Sequence, residues 1–493
     1  AEEAGVAHSS DTQSGIWGDL DNDGDLDLFL GNNESPNVLY ENNGDGTFTD
    51  ISKIAGIDTT SRPRAVLYSD VNKDGFLDIY VANANDENLL FMNNGNLTFS
   101  NEVQESGAVD PNFSMGAAFC DYDHDGDEDL YLAHDANQAN ILYQNDGNGN
   151  FTDVTDMTNV GYEGFGMGVD FGDANGDGFM DLYITNLFEN TLYLSNGNGG
   201  FYNHSNTAQI TDYGMGWGTM FLDFDNDSKL DIYVINDSEF SDYPNVLYRN
   251  LGSAVFGIIN PNASISSNYQ GYGGACFDFN DDGKLDIFVA NDNNQIGNEL
   301  FENVTQNSGN YLKVKAEGTI SNRSAIGTKI VVEAGGKIFT EEIMAGTGYI
   351  SQNSRIQHFG IGDASVIDKM TVTWPSGIEE VFENLDINQT IKILENEGIT
   401  STKSLSGKSG FDNTFEIFPT VVSDKLTVQL NENFPQNGAL TLTNFEGKVL
   451  NQFENLSPKS EFEIEAGSLS NGVYFISTKT DNQTFTKRFI INN

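Results

Sequence analysis

Along roughly the first 300 residues, short apolar runs and acidic turns alternate on a fixed beat. The apolar runs LFLGN, IYVAN, LYLAH, LYITN, IYVIN and IFVAN each follow a nine-residue acidic turn. They are short and mostly β-branched or aromatic, which predicts strands. A further run follows each: NVLYEN, NLLFMN, NILYQN, NTLYLSN, NVLYRN and NELFEN. Glycine-asparagine turns such as Asn42–Phe48 and Asn145–Phe151 come next, then a last strand of the type FTDIS or FTDVT. With the run ahead of each acidic turn, this makes four antiparallel strands per repeat of about 51 residues, the pattern of a β-propeller blade.

Six blades are legible, from about Ser9 to Val304. The sixth lacks its FTDVT strand, a seventh is possible, and either the N-terminal segment or the following domain completes the ring. Five residues before each acidic turn stands a small residue: Ser14, Ala65, Gly116, Gly168, Gly218 or Gly273. That suits an innermost strand crowded near the axis. One residue earlier the side chains differ: Gln13, Arg64, Met115, Met167, Trp217 and Tyr272. They predict either an asymmetric recognition surface around the channel mouth or core filler. The loop Asn236–Pro244 is an equal candidate, because propeller loops commonly carry binding.

The acidic turns carry the chemistry. They are Asp19–Asp27, Asp70–Asp78, Asp121–Asp129, Asp173–Asp181, Asp223–Asp231 and Asp278–Asp286. Position 1 is Asp19, Asp70, Asp121, Asp173, Asp223 or Asp278, and position 9 is Asp27, Asp78, Asp129, Asp181, Asp231 or Asp286. Position 3 is Asp21, Asn72, Asp123, Asn175, Asp225 or Asn280; position 5 is Asp23, Asp74, Asp125, Asp177, Asp227 or Asp282. Four oxygen side chains on one turn suit a hard cation, above all Ca²⁺. The backbone carbonyl of position 7 (Asp25, Phe76, Asp127, Phe179, Lys229, Lys284) can add a fifth oxygen. Position 6 is glycine in every copy but one, where Ser228 must make the same sharp turn. Without a cation the carboxylates repel one another at close range. With no Glu at position 12 and no helix following, the loop is not an EF-hand; it joins two strands of a hairpin. The expectation is about six Ca²⁺ ions.

Net charge is −51, from 74 acids against 23 bases. Nucleic acid and anionic membrane surfaces are thereby disfavoured as partners. Glycine is abundant at 52 and proline scarce at 9, which marks a turn-rich β protein rather than a disordered acidic chain. The chain contains no run suited to a direct membrane span. Its first residues, AEEAGVA, match the middle of a repeat (compare Ser52–Asp58), so the chain is expected to begin after a removed export signal. Cys120 and Cys276 lie in different repeats on oppositely facing strand positions, which predicts two buried free thiols. His124 sits at the outward-facing fourth position of its loop, and His358 reads as a packed or hydrogen-bonded residue. No HExxH, GxSxG, phosphate-loop or dinucleotide motif is present, and the dense carboxylate clusters are claimed by the loops. No catalytic residue is therefore assigned.

In loop and spacing the repeats resemble the FG-GAP/VCBS repeats of integrin α-subunit propellers and their bacterial relatives. That resemblance implies Ca²⁺ within the blades. From 306 to 395 the repeat stops. The pieces Ser321–Ile330, Gly348–Ser354, His358–Gly362 and Val372–Gly377 are similar to the ASPIC/UnbV domain of secreted bacterial proteins and of the cartilage acidic protein family. The segment 396–410, rich in Ser, Gly and Thr, reads as a flexible linker. The last part, 411–493, resembles the type A C-terminal sorting domain of the type IX secretion system, through Phe418-Pro419, Gly447-Lys448, Gly472-Val473-Tyr474 and Lys487-Arg488 before a final apolar strand. It departs from the usual Pro-Asn-Pro by reading Pro419-Thr420-Val421.

The expected organisation is an all-β chain: a calcium-binding propeller over 1–305, then two small β-sandwich-like domains. The expected location is the medium or outer surface of a Gram-negative, Bacteroidetes-like bacterium, with the secretion machinery as a partner of the tail. The expected role is binding or adhesion to an extracellular glycan or protein. A calcium-dependent polysaccharide-degrading enzyme and a structural subunit of a surface assembly are the alternatives.

Overall fold

The computed structural model describes residues 1–210, 213–238, 242–259, 265–292, 297–306, 308–404, 415–418, 421–422, 425–430, 434–435, 438–444, 448–465, 469, 472–479 and 484–491. The chain is all-β and divides into two compact units, Ala1–Leu405 and Ser406–Asn493.

In the first unit the repeats form sheets in simple meander order. Blade 1 runs Thr12–Gly18, Asp27–Asn32, Val38–Asn42 and Phe48–Asp50. Blades 2 to 5 repeat this arrangement, and blade 6 has three strands, Gly271–Phe277, Asp286–Asn291 and Glu299–Phe301. The acidic turn closes the first hairpin of every blade in one register. The residue before position 1 pairs with position 9: Gly18 with Asp27, Ser69 with Asp78, Cys120 with Asp129, Gly172 with Asp181, Leu222 with Asp231 and Phe277 with Asp286. Innermost strands of consecutive blades pack side by side from blade 1 to blade 6. Apolar residues between them form the core, with Tyr80, Tyr131 and Phe119 among the largest fully buried side chains.

The small residue five places before the turn is required by backbone proximity. A Cβ on Gly116 or Gly168 would overlap the carbonyl of Met167 or Trp217 in the next blade, and one on Gly218 would lie 2.7 Å from Tyr272 O. The fourth strand is shorter than the sequence suggests. In blades 1 to 4 it spans three residues and gives way to a single helical turn, such as Ser52–Ala55 or Thr155–Thr158. The residue ending the strand, aspartate in blades 1 and 3 and asparagine (Asn101, Asn203) in blades 2 and 4, is the cause. Asp50 accepts hydrogen bonds from Ser52 N and Oγ, and Asp153 from Thr155 N and Oγ, which turns the chain. The N-terminal residues occupy the equivalent place against blade 1. Phe48 N donates to Ala4 O, and Gly5 faces Phe48 O as Gly56 faces Phe99 O.

The second domain is a sandwich of two four-stranded sheets. One orders Gln357–Gly362, Asn310–Glu317, Gln389–Leu394 and Gly398–Ser404; the other orders Lys337–Glu342, Lys329–Ala334, Ile367–Thr373 and Glu379–Leu385. The stretch expected to open a flexible linker is thus corrected in part. Gly398–Ser404 is an edge strand paired with Gln389–Leu394, and Ile399 packs on the core. Residues 405–410 lie outside the described residues.

Between Glu342 and Gln357 the chain leaves the sandwich and threads the propeller axis. Tyr68 N donates to Ala345 O (3.2 Å) in blade 2, and Gly348 exchanges both backbone bonds with Val169 of blade 4. Gly274 N of blade 6 donates to Ser351 Oγ (3.0 Å), while Gln352 makes a two-way amide pair with Trp17 N and O of blade 1 (3.0 and 2.9 Å). Two consecutive residues of the second domain therefore span the gap between the sixth and first blades. Four of the six variable residues expected around an open mouth meet this plug instead. Met115 and Met167 are buried against Tyr349, with Trp217 and Tyr272 packed at its edge.

In the second unit the described strands form a three-stranded sheet (Phe415–Phe418, Lys425–Leu430, Glu461–Glu465) and a five-stranded one ending in Thr484–Ile491. Phe415, Leu426, Val428, Leu440 and Ile476 make their shared core. Gly472-Val473-Tyr474 opens the strand Gly472–Lys479, with Tyr474 buried. Pro419, Thr420 and Gly447 of the sorting-domain resemblance lie outside the described residues.

Candidate metal sites

The acidic turns fold by satisfying backbone N–H groups with their own side chains. In the first loop Asp19 accepts from Asp23 N (3.1 Å) and Gly24 N (2.9 Å), and Asp23 accepts from Asp25 N (2.8 Å). Position 3 does the same for position 5 whether it is Asp21 or an asparagine, as Asn72, Asn175 and Asn280 show at 3.1, 2.8 and 3.0 Å. Position 6 has positive φ throughout, from 81° at Gly283 to 102° at Gly24, and Ser228 adopts 77°. Its amide still donates to Asp223 (2.8 Å), so the odd copy keeps the turn with a strained residue.

Position 9 is gripped from two sides. Asp27 takes Leu20 N on one oxygen (3.0 Å) and Asn42 N on the other (2.9 Å); Asp78, Asp231 and Asp286 repeat both bonds. The second donor is the asparagine ending each third strand, replaced by Ser195 in blade 4. Its side chain also latches neighbouring blades. Asn93 Nδ2 donates to Leu77 O in its own loop and Leu20 O in the previous one, and Asn145, Asn250 and Asn303 repeat that double bond. The repeated Asn is plain in the strings NVLYEN to NELFEN, but a single strand's pattern gives no sign of a partner in the preceding blade.

Carboxylate oxygens of positions 1, 3 and 9 converge within 4.8 Å in three loops: Asp19, Asp21 and Asp27; Asp121, Asp123 and Asp129; Asp223, Asp225 and Asp231. These are the three loops with aspartate at position 3. The others offer an amide oxygen there. The position 7 side chains differ: Asp127 pairs with Lys73 and Phe179 stacks on His124 at 4.8 Å, whereas Lys229 and Lys284 pair with Asp227 and Asp282, the position 5 carboxylates of their own loops. His124 is thus half-buried on the next blade's loop, not outward-facing.

A cation fits this arrangement. Asp121 Oδ1 and Asp129 Oδ2 in the third loop, and Asp225 Oδ1 and Asp227 Oδ1 in the fifth, are buried without a hydrogen-bond partner. In the fifth loop Arg249 holds the other oxygens, Asp225 Oδ2 at 2.6 Å and Asp227 Oδ2 at 3.0 Å, leaving both Oδ1 atoms unpaired. Burial, then mutual repulsion, raises the calcium-free acids well above the usual carboxylate range. Asp19, Asp121 and Asp173 reach about 6, Asp70 and Asp223 about 7, and Asp129 about 10. Asp27 reaches about 7 by burial, partly offset by its backbone bonds.

The second domain faces all six loops. Ser324 Oγ accepts from Asp19 N (3.1 Å), and Arg323 N donates to Asn22 (2.8 Å). Gly75 lies against Ile320 O, and Glu342 accepts from Asp121 N (3.2 Å). Loops four and five border a cavity of about 450 Å³ walled by Lys337–Glu341 and His358–Gly360. His358 bonds Asn226 (2.8 Å), and Lys313, 4% exposed, bonds Asp278 (2.5 Å) and Asp281 (3.0 Å) of the sixth loop. His358 is buried and hydrogen-bonded as expected, and both cysteines are free and buried.

Three family models match the chain. The FG-GAP-like repeat model matches residues 19–81, 70–132, 121–184 and 223–289; ASPIC and UnbV matches 318–400; the secretion system C-terminal sorting domain matches 416–492. The human protein "Cartilage acidic protein 1" is 29% identical over 199 residues, 38% of this chain and 30% of its own length. Its Xenopus tropicalis counterpart is 30% identical over 181 residues, 34% of this chain and 28% of its own. The chain thus spans under a third of these relatives. Among solved structures, a Bacillus licheniformis rhamnogalacturonan lyase aligns at 14% identity and TM-score 0.37, over 78% of this chain and 73% of that one. Saccharomyces cerevisiae Sqt1 aligns at 10% and 0.35 over 99% of both. Both are too distant to carry an assignment. The chain therefore carries FG-GAP-like repeats, an ASPIC/UnbV segment and a sorting domain read by the type IX secretion machinery. It is an exported protein, secreted or held at the outer cell surface. No helix among the described residues is long and apolar enough to cross a membrane.

Proposed function

We propose that this is an extracellular binding protein whose propeller is stabilised by six Ca²⁺ ions, one per acidic loop. The observation that carries the reading is the six-fold turn with its buried, partly unpaired carboxylates. Each ion takes side chains 1, 3, 5 and 9 and the carbonyl of position 7, oxygen chemistry suited to Ca²⁺. Because every loop also touches the second domain, the ions stiffen the seam between propeller and sandwich as well as the blades. The tail serves export, and the propeller meets an extracellular glycan or protein.

Two measurements test this. Ions that bind only the folded state stabilise it by about 2.7 kcal/mol per site at a hundredfold excess over Kd. Chelation should therefore lower the melting of the 1–405 unit strongly and that of the tail hardly at all. Equal melting with and without chelator would reduce the loops to acidic turns. Calcium-loaded protein incubated with extracellular polysaccharides and cell surfaces should be retained without altering them. Release of shortened chains would replace binding with catalysis.

A further inference from the structure

The blade ends opposite the acidic loops carry a band of exposed aromatic rings that neither the ions nor the core uses. Phe188 and Tyr213 are each 54% exposed, Tyr243 41% and Phe165 37%. The band is continuous across blades 4, 5 and 6. Leu187 N donates to Phe165 O (3.3 Å) within blade 4, Phe188 N to Gly214 O (2.8 Å) between blades 4 and 5, and Ser238 N to Tyr269 O (3.2 Å) between blades 5 and 6. At its inner edge Trp217 makes tilted ring contacts with Tyr272 and with the plug residue Tyr349, at centroid distances of 4.9 and 4.8 Å. The plug fills the axis beside these rings, with Tyr349 buried against Met115 and Met167.

Charge narrows the occupant. Between residues 103 and 304 the only bases are Lys229, Arg249 and Lys284. Lys229 and Lys284 lie in acidic loops at the other end, and Arg249 is bound to the fifth. Over blades 4 to 6 the band has no lysine or arginine to receive an anionic polymer, the Arg64 that acts on Tyr349 belonging to blade 2, and its exposed Glu163 and Glu189 repel one. An apolar protein or lipid surface would bury those carboxylates unpaired, at a cost of several kcal/mol. Rings set among carboxylates and amides suit a ligand with apolar C–H faces and hydroxyl donors.

We infer that this band binds an uncharged polysaccharide chain lying across blades 4 to 6. The inference rests on the binding reading above and names its ligand class and surface. The test uses the full calcium-loaded chain with laminarin, glucomannan and arabinoxylan as neutral probes, and alginate, chondroitin sulfate and polylysine as charged ones. Calorimetry and tryptophan emission report binding. At least one neutral probe should bind, and the anionic ones should not. The double variant Phe188→Ala, Tyr213→Ala should weaken that binding at least tenfold with unchanged Tm, since both rings are over half exposed. Retention within twofold by the double variant, or binding of charged probes alone, overturns the inference while leaving a binding protein. If the wild-type chain binds no probe and no cell surface, the broader reading falls with it.

Discussion

Replacing Tyr349 by alanine tests whether the second domain completes the propeller. The ring is 5% exposed and rests against Trp217 at 4.8 Å, with Met115 and Met167 beneath it. Removing a buried aromatic ring costs about 3–5 kcal/mol. The two methionines are flexible enough to fill part of the space, so the loss should fall near the lower figure, about 3 kcal/mol. Unfolding entropy of about 2.1 cal/mol/K per residue makes the conversion to temperature shallow. For the unit Ala1–Leu405, Tm should fall by only about 4 °C. Denaturant titration read by intrinsic fluorescence is the sharper assay, because Trp217 loses its neighbour in the same substitution. The midpoint should drop, and Trp217 emission should shift before global unfolding. Tyr349→Phe, which keeps the ring, should match wild type on both counts. If the alanine variant unfolds at the wild-type midpoint with Trp217 undisturbed, residues 343–356 do not plug the axis.

Other perturbations have equally definite outcomes. In the calcium-free protein, folded-state pKa values of about 6–7 at Asp19, Asp70, Asp173 and Asp223 exceed the unfolded value of 3.8, so the folded state binds more protons between those limits. Chelated protein should therefore gain stability as pH falls from 8 to 5, whereas loaded protein should lose it as protons displace the ions; parallel slopes in paired melts would contradict the ion-site reading. Glu395 takes three backbone N–H bonds from Thr319, Ile320 and Ser321 and two hydroxyl bonds, fixing the turn that meets the first two loops. Glu395→Gln should cost about 2 kcal/mol through lost charge assistance and Glu395→Ala about 4 kcal/mol through orphaned amides, by urea titration; equal, small losses would mean the turn is held otherwise. Deleting 411–493 should leave a folded, ion-binding chain that accumulates in the periplasm of its native host, and normal export of the truncation would remove the sorting role from the tail.

The blades are legible because short apolar β-branched and aromatic runs, a fixed turn and a six-fold copy number reinforce one another. The small residue at Gly116 or Gly218 could be placed near the axis from repetition alone, and the backbone clash explains it. The plug was not legible. Nothing in Gly348–Ser354 marks it as axial, because its partners lie in blades up to 335 residues away, as with Gln352 and Trp17. The edge strand Gly398–Ser404 reads as linker because Ser and Thr dominate it, yet Ile399 anchors it to the sandwich core. In the loops the ligand positions were readable, while the asparagine latches were not, since each acts on a carbonyl of the preceding blade.

Ion counting on the intact chain tests the central claim most directly. Protein equilibrated at millimolar Ca²⁺ and crystallised should show six anomalous peaks, one in each acidic turn, with oxygens at about 2.3–2.6 Å. The loop containing Ser228 should be the first to empty as calcium is withdrawn, because its turn residue is held at φ 77° without glycine's freedom. Six ions in these positions are the predicted result. Fewer than four, or ions bound away from positions 1, 3, 5 and 9, would contradict the account.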